Sequence, residues 1–210
     1  MDQPPCKSRR RWLRFSLRGL LIVTSVLAIL LAWRMHHVRT SQRVAELLTE
    51  ANVSFTPGRN EQPWHGIPAL EPVRFTSLSI KRGVGANPSF LEAAEHLETL
   101  NTIEKVYLYG WTEDGSPEDF AVLAKLGSIT SIDIDGGVDG DAFRPLIALT
   151  KLESFSCSGS SGYCSDDALA LLLGMPSVKN VGLPQAEHDV PPELRRTRPD
   201  IDYFITDFPP

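Results

Sequence analysis

Ile129-Thr130-Ser131-Ile132-Asp133-Ile134 sets apolar side chains at its first, fourth and sixth positions and polar ones between them. The same spacing occurs upstream at Phe75-Thr76-Ser77-Leu78-Ser79-Ile80 and at Ile103-Glu104-Lys105-Val106-Tyr107-Leu108. Downstream it returns at Leu152 to Cys157 and at Val178 to Leu183, with a weaker sixth copy at Ile201-Asp202-Tyr203-Phe204-Ile205-Thr206. With the fourth position as marker, the copies fall at 78, 106, 132, 155, 181 and 204, at intervals of 28, 26, 23, 26 and 23 residues. A near-constant period of this size marks a repeat architecture, because one such unit cannot bury its own apolar face while a stack of them can.

The segments between copies are helical in pattern. Pro88 to Leu100 has Phe90, Leu91, Ala94 and Leu97 on one face. Ser116-Pro117-Glu118-Asp119 offers a capping serine, a proline at the first helical position and an acidic first turn. Ser165-Asp166-Asp167 does the same before Ala168 to Leu173, and Asp141 to Leu149 is a shorter version. Strand, turn, helix and turn therefore alternate over residues 73–206, which predicts an α/β fold with parallel strands. A doubly wound sheet alternates in the same way, but its strands are continuous apolar runs, whereas these are short and half polar. The pattern favours a solenoid.

With the L-x-x-L-x-L core in each copy, the chain resembles leucine-rich-repeat proteins over about two-thirds of its length. It departs from their consensus where an asparagine ladder would form. Gly83, Trp111, Gly137, Ser160 and Ala186 stand there in the first five copies. The repeats are degenerate, and with the basic start around Phe15-Ser16-Leu17-Arg18 the chain is similar to bacterial membrane-anchored proteins of this degenerate type.

Between Arg18 and Arg34 lie fifteen uncharged, mostly aliphatic residues, Gly19 to Trp33. As a helix they span roughly 22 Å, and Phe15, Leu17 and the stem of a snorkelling Arg18 extend this towards the roughly 30 Å of a hydrocarbon core. Trp12 and Trp33 occupy interfacial positions. A cleaved signal peptide would need small residues after the run, and Leu31-Ala32-Trp33-Arg34-Met35-His36 supplies them poorly. A buried core helix would show a polar face, and this run has none. Six basic residues precede the run and three follow closely, so the positive-inside bias puts the N-terminus in the cytoplasm and the large domain in the periplasm.

The chain of 210 residues then divides into a basic cytoplasmic tail (1–16), a transmembrane anchor (17–34), an amphipathic stalk helix (35–55), a Pro/Gly-rich linker (56–72) and the leucine-rich-repeat-like domain (73–210). The stalk face is Val44, Leu47, Leu48 and Ala51. Nine of the 21 Lys and Arg but one of the 26 Asp and Glu lie in residues 1–43. That leaves 12 basic against 25 acidic residues in the body, a charge that repels phosphate backbones and argues against nucleic acid as partner.

Chemistry-bearing motifs are few. The sequence has no G-x-S-x-G, no P-loop and no G-x-G-x-x-G; Gly83-Val84-Gly85 is a faint echo of a dinucleotide loop, with Pro88 where the third glycine belongs. The five histidines lack zinc-ligand spacing with cysteine. An EF-hand loop starting at Asp133 meets Val138 where glycine is needed and Arg144 where glutamate is needed; one starting at Asp135 ends on Leu146. The Asp-Gly stretch from Asp133 to Asp141 reads better as a turn, with a non-EF calcium site as the alternative. Cys157 and Cys164 either pair in an oxidising compartment or remain free, Cys157 as a core residue.

The residues flanking the inward positions should line the open sheet face: Ser79 and Lys81, Tyr107 and Tyr109, Asp133 and Asp135, Ser156 and Ser158, Gly182 and Pro184. Tyr107 and Tyr109 beside Asp133 and Asp135 form a candidate binding patch for a polar or cationic group, against the simpler reading of a solvated face. The expected function is a membrane-tethered, non-catalytic interaction module that needs no cofactor and binds a protein or envelope component. A structural spacer of the envelope is the alternative, and an enzyme with a metal-dependent acidic site at Asp133, Asp135 and Asp139 the more distant one.

Overall fold

A computed structural model describes residues 17–58, 72–100, 102–111, 117–158, 163–184 and 192–206. The chain forms two compact units, Met1–His37 and Val38–Pro210, and helix α1 (Leu17–Glu50) runs through the boundary.

In the first unit none of the described residues is buried. An 18-residue window of the helix has mean hydropathy 1.8 and is 0% buried, so by length and composition this helix can cross a membrane. Within it the Thr24 hydroxyl donates to the Leu20 carbonyl at 3.0 Å, which satisfies that polar group inside the helix. The ring of Trp33 meets that of His37 edge-on, with centroids 5.0 Å apart.

In the second unit, α1 contributes Val44, Leu47 and Leu48 to the core. Its end is a Schellman turn: Asn52 takes φ 63°, its N–H donates to the Thr49 carbonyl, and the Val53 N–H donates to Leu48. Val53 and Leu48, which flank this turn, are both buried. The apolar face expected of a stalk thus packs in the same compact unit as the strands, Val38–Pro210. The expected linker likewise begins as strand β1 (Ser54–Pro57); residues 59–71 lie outside the described ones.

β1 pairs antiparallel with β2 (Phe75–Lys81). Thereafter β3 (Lys105–Trp111), β4 (Ser131–Gly136), β5 (Ser154–Ser158), β6 (Asn180–Pro184) and β7 (Asp202–Thr206) add in parallel, each beside the strand before it. The seven strands follow chain order without the reversal that a doubly wound sheet makes. Helices α2 (Pro88–Leu100), α3 (Pro117–Ala124), α4 (Gly140–Phe143) and α5 (Asp166–Leu173) form a row in which each touches the next, and α6 (Pro192–Thr197) precedes β7. The stretch expected as one helix to Leu149 is split: after α4 comes a 3₁₀ turn, Arg144–Ala148, where Pro145 has no N–H to continue the ladder.

The inward positions of the first five copies are all buried: Phe75, Leu78 and Ile80, then Ile103, Val106 and Leu108, through to Val178, Val181 and Leu183. They stack in register, Leu78 beside Val106, Val106 beside Ile132, Ile132 beside Phe155 and Phe155 beside Val181. A main-chain ladder joins the units at the strand starts. The Glu104 carbonyl accepts from the amides of Thr130 and Ser131, Thr130 serves Glu153 and Ser154, and Glu153 serves Lys179 and Asn180, at 2.8–3.0 Å.

The sixth copy departs from the expected register. Tyr203, not Phe204, pairs with Val181 and packs towards the core, while Phe204 pairs with Gly182 and is 41% exposed on the other face. Alternation of side chains means that one residue fewer before a strand exchanges its faces. The turn that shortens it is pinned by Arg198, whose guanidinium donates to the carbonyls of Leu173, Met175 and Val178 and to the Asp200 carboxylate.

Candidate functional site

The four residues singled out on the open sheet face are brought together. Tyr107 and Asp133 are cross-strand partners, as are Tyr109 and Asp135, so the two pairs stand in adjacent rows on β3 and β4. Strand spacing of about 4.8 Å puts each aromatic ring beside its carboxylate. Lys81 extends the outer row on the β2 side, opposite Tyr109. Tyr109 is 47% exposed, and Tyr107, Asp133 and Asp135 are half-buried.

The two carboxylates differ. Asp133 Oδ1 accepts hydrogen bonds from the hydroxyls of Ser156 at 3.1 Å and Ser158 at 3.2 Å, which fix its orientation. Ser158 also reaches the Ile134 carbonyl at 3.3 Å. Ser156 and Ser158 are buried, 8% and 7% exposed, so the solvated patch ends at β5 instead of continuing along the sheet as the alternation implied. Asp135 has no such partner among the described residues. The patch therefore holds one anchored carboxylate, one free carboxylate and two tyrosines, a set suited to a guanidinium or ammonium group by charge and by ring-face attraction.

A bulge shapes its rim. Gly110 takes φ 68° and the register shifts between Tyr109 and Trp111, so Trp111 pairs with Gly136. Beyond β5, the Phe204 ring lies over Gly182, where a Cβ would come within 2.7 Å of it. Sequence reading missed Phe204 because the motif match placed it inward; the signal that could have found it is the glycine at 182, directly across the sheet.

Other sequence candidates turn out to serve the fold. Asp139 caps α4, its Oδ1 accepting from the Ala142 N–H at 2.7 Å, which takes it out of an acidic trio with Asp133 and Asp135. Among the described residues no three His, Cys, Asp or Glu side chains gather as a metal-ligating group. A shallow cleft of about 580 Å³ opens between α4 and α5, lined by Asp139, Asp141, Arg144, Ser165 and Asp167; Ser165 is the α5 cap, accepting from the Ala168 N–H at 3.2 Å.

The dinucleotide-like Gly83-Val84-Gly85 has an internal occupant. The backbone amides of Gly83 and Gly85 donate to the carboxylate of Asp119, which lies buried in the first turn of α3. A Cβ at residue 85 would overlap that carboxylate. Burial raises the Asp119 pKa, with Glu118 adding to the rise, while the two amides and Arg82 oppose it. The amides that would cradle a phosphate elsewhere cradle a side chain here.

No family model matches the chain, and no curated protein matches it.

Proposed function

We propose that this protein is a membrane-tethered interaction module. Its strand-helix units stack as a short leucine-rich-repeat-type solenoid, and its open sheet face binds a basic side chain of a protein or envelope component. The observation that carries this reading is the juxtaposition of Tyr107 with Asp133 and of Tyr109 with Asp135 on one sheet face, with Tyr109 exposed and the other three half-buried. Support for the solenoid comes from the sequential parallel strand order and the repeated main-chain ladder. Support for the tether is the uncharged, unburied segment 19–33 of α1, and the basic residues before it favour a cytoplasmic N-terminus with the repeats in the periplasm. Tethering raises the local concentration of both partners, so weak contacts suffice.

Photo-crosslinking in cells tests the patch. A photoreactive residue at position 109 of the full chain should give discrete adducts that Asp135→Ala or Tyr107→Ala weakens severalfold. The same residue at position 147, exposed on the 3₁₀ turn after α4, should give none. Equal adducts from both positions, or adducts indifferent to Asp135→Ala and Tyr107→Ala, would exclude the patch as the binding surface.

A further inference from the structure

Cys157 and Cys164 are both free thiols, and they neighbour one another within the sheet domain. Cys157 stands on β5 beside Ile134 and is 0% exposed; Cys164 is half-buried against the same core. Backbone contacts hold Cys164 in place. The Val138 N–H donates to the Tyr163 carbonyl at 2.9 Å and the Ser165 N–H to the Val138 carbonyl at 3.1 Å, making a parallel bridge between Val138 and Cys164. On one side the Tyr163 ring covers Gly137, where a Cβ would overlap it, and on the other Ser165 caps α5. A bridge, an aromatic lid and a helix cap thus fix residue 164 with its sulfur against that of Cys157.

We infer that Cys157 and Cys164 are a disulfide site, closed within the chain by a disulfide-bearing oxidant such as oxidised glutathione or an oxidoreductase in its disulfide form. The more accessible Cys164 reacts first. Its thiolate attacks one sulfur of the oxidant, breaking that S–S bond, expelling one thiolate and leaving a mixed disulfide on Cys164. Cys157 then gives its proton to solvent and attacks the Cys164 sulfur, forming the intrachain bond and expelling the second thiolate. The pair loses two electrons and two protons, and the oxidant is reduced to two thiols. The neighbouring Cys164 thiol and burial push the Cys157 thiol well up, so closure accelerates as pH rises. The inference is independent of which side of a membrane the domain occupies.

The test uses the full chain in detergent micelles, exposed natively to oxidised glutathione, then denatured, alkylated and digested with trypsin. Peptide Leu152–Lys179 carries both cysteines, and Cys6 is the third thiol of the chain. The expected product is that peptide unalkylated and lighter by two hydrogens, with Cys6 alkylated and with Tm raised by about 5 °C. Cys164→Ser should abolish the mass change and the Tm rise, and oxidation in denaturant should run about tenfold slower because the fold no longer positions the pair. Double alkylation of the peptide after native exposure, glutathione persisting on Cys164, or pairing through Cys6 would each overturn the inference.

Discussion

Asp119 is buried because two amides hold its carboxylate, and removing it leaves both without a partner. Asp119→Ala should cost about 2 kcal/mol in urea unfolding of the full chain in micelles. Its pH dependence has a definite sign. An acid whose pKa is raised by folding binds its proton more tightly in the native state. Stability should therefore be greatest with Asp119 protonated and decline as pH rises from the ordinary carboxylate range through the raised value, then level off. The difference in unfolding free energy between wild type and Asp119→Asn, measured across that range, should show this decline; a flat difference would contradict it. From sequence, Asp119 reads only as part of the acidic first turn of a helix. Nothing local announces that Gly83 and Gly85, more than thirty residues earlier, fold over it. The patch residues were legible for the opposite reason. Tyr107, Tyr109, Asp133 and Asp135 follow from strand alternation alone, whereas the serine hydroxyls that anchor Asp133 come from the next unit.

At the level of elements, β7 depends on two contacts that no period reveals. Arg198 satisfies three carbonyls between the end of α5 and β6, and Arg198→Ala should lower stability by about 1–2 kcal/mol, with Arg198→Lys recovering little because an ammonium cannot span the three. Gly182 leaves room for the Phe204 ring. Gly182→Val should force β6 and β7 apart at a cost of about 1–3 kcal/mol in thermal or urea unfolding. Gly182→Val combined with Phe204→Ala should recover part of that loss, which a double-mutant cycle would measure. Five of the six strand copies were readable because each carries three apolar positions at fixed spacing. The sixth was misread by one residue, since Ile201, Tyr203, Phe204 and Ile205 satisfy either register and only the Arg198 turn selects between them. β1 was missed altogether: Ser54-Phe55-Thr56-Pro57 is too short to show alternation and ends in a proline that suggested a linker.

For the whole molecule, the charge-free segment of α1 makes a prediction about partition. The full chain should stay with membranes through an alkaline carbonate wash, while a chain starting at Val38 should appear in the supernatant. A reporter enzyme active only after export, fused at the C-terminus, should be active; activity only from an N-terminal fusion would reverse the orientation. The main-chain ladder at the strand starts has a further consequence, one of inheritance. Its donors and acceptors are peptide groups, present whatever side chains stand there, so the outward rows at positions such as 107, 109 and 135 carry little obligation to the scaffold. Those rows can drift, lose a ligand or acquire another while the units keep their stacking. Strand-helix units joined in this way can change the side chains of their outward rows without losing the sheet that carries them.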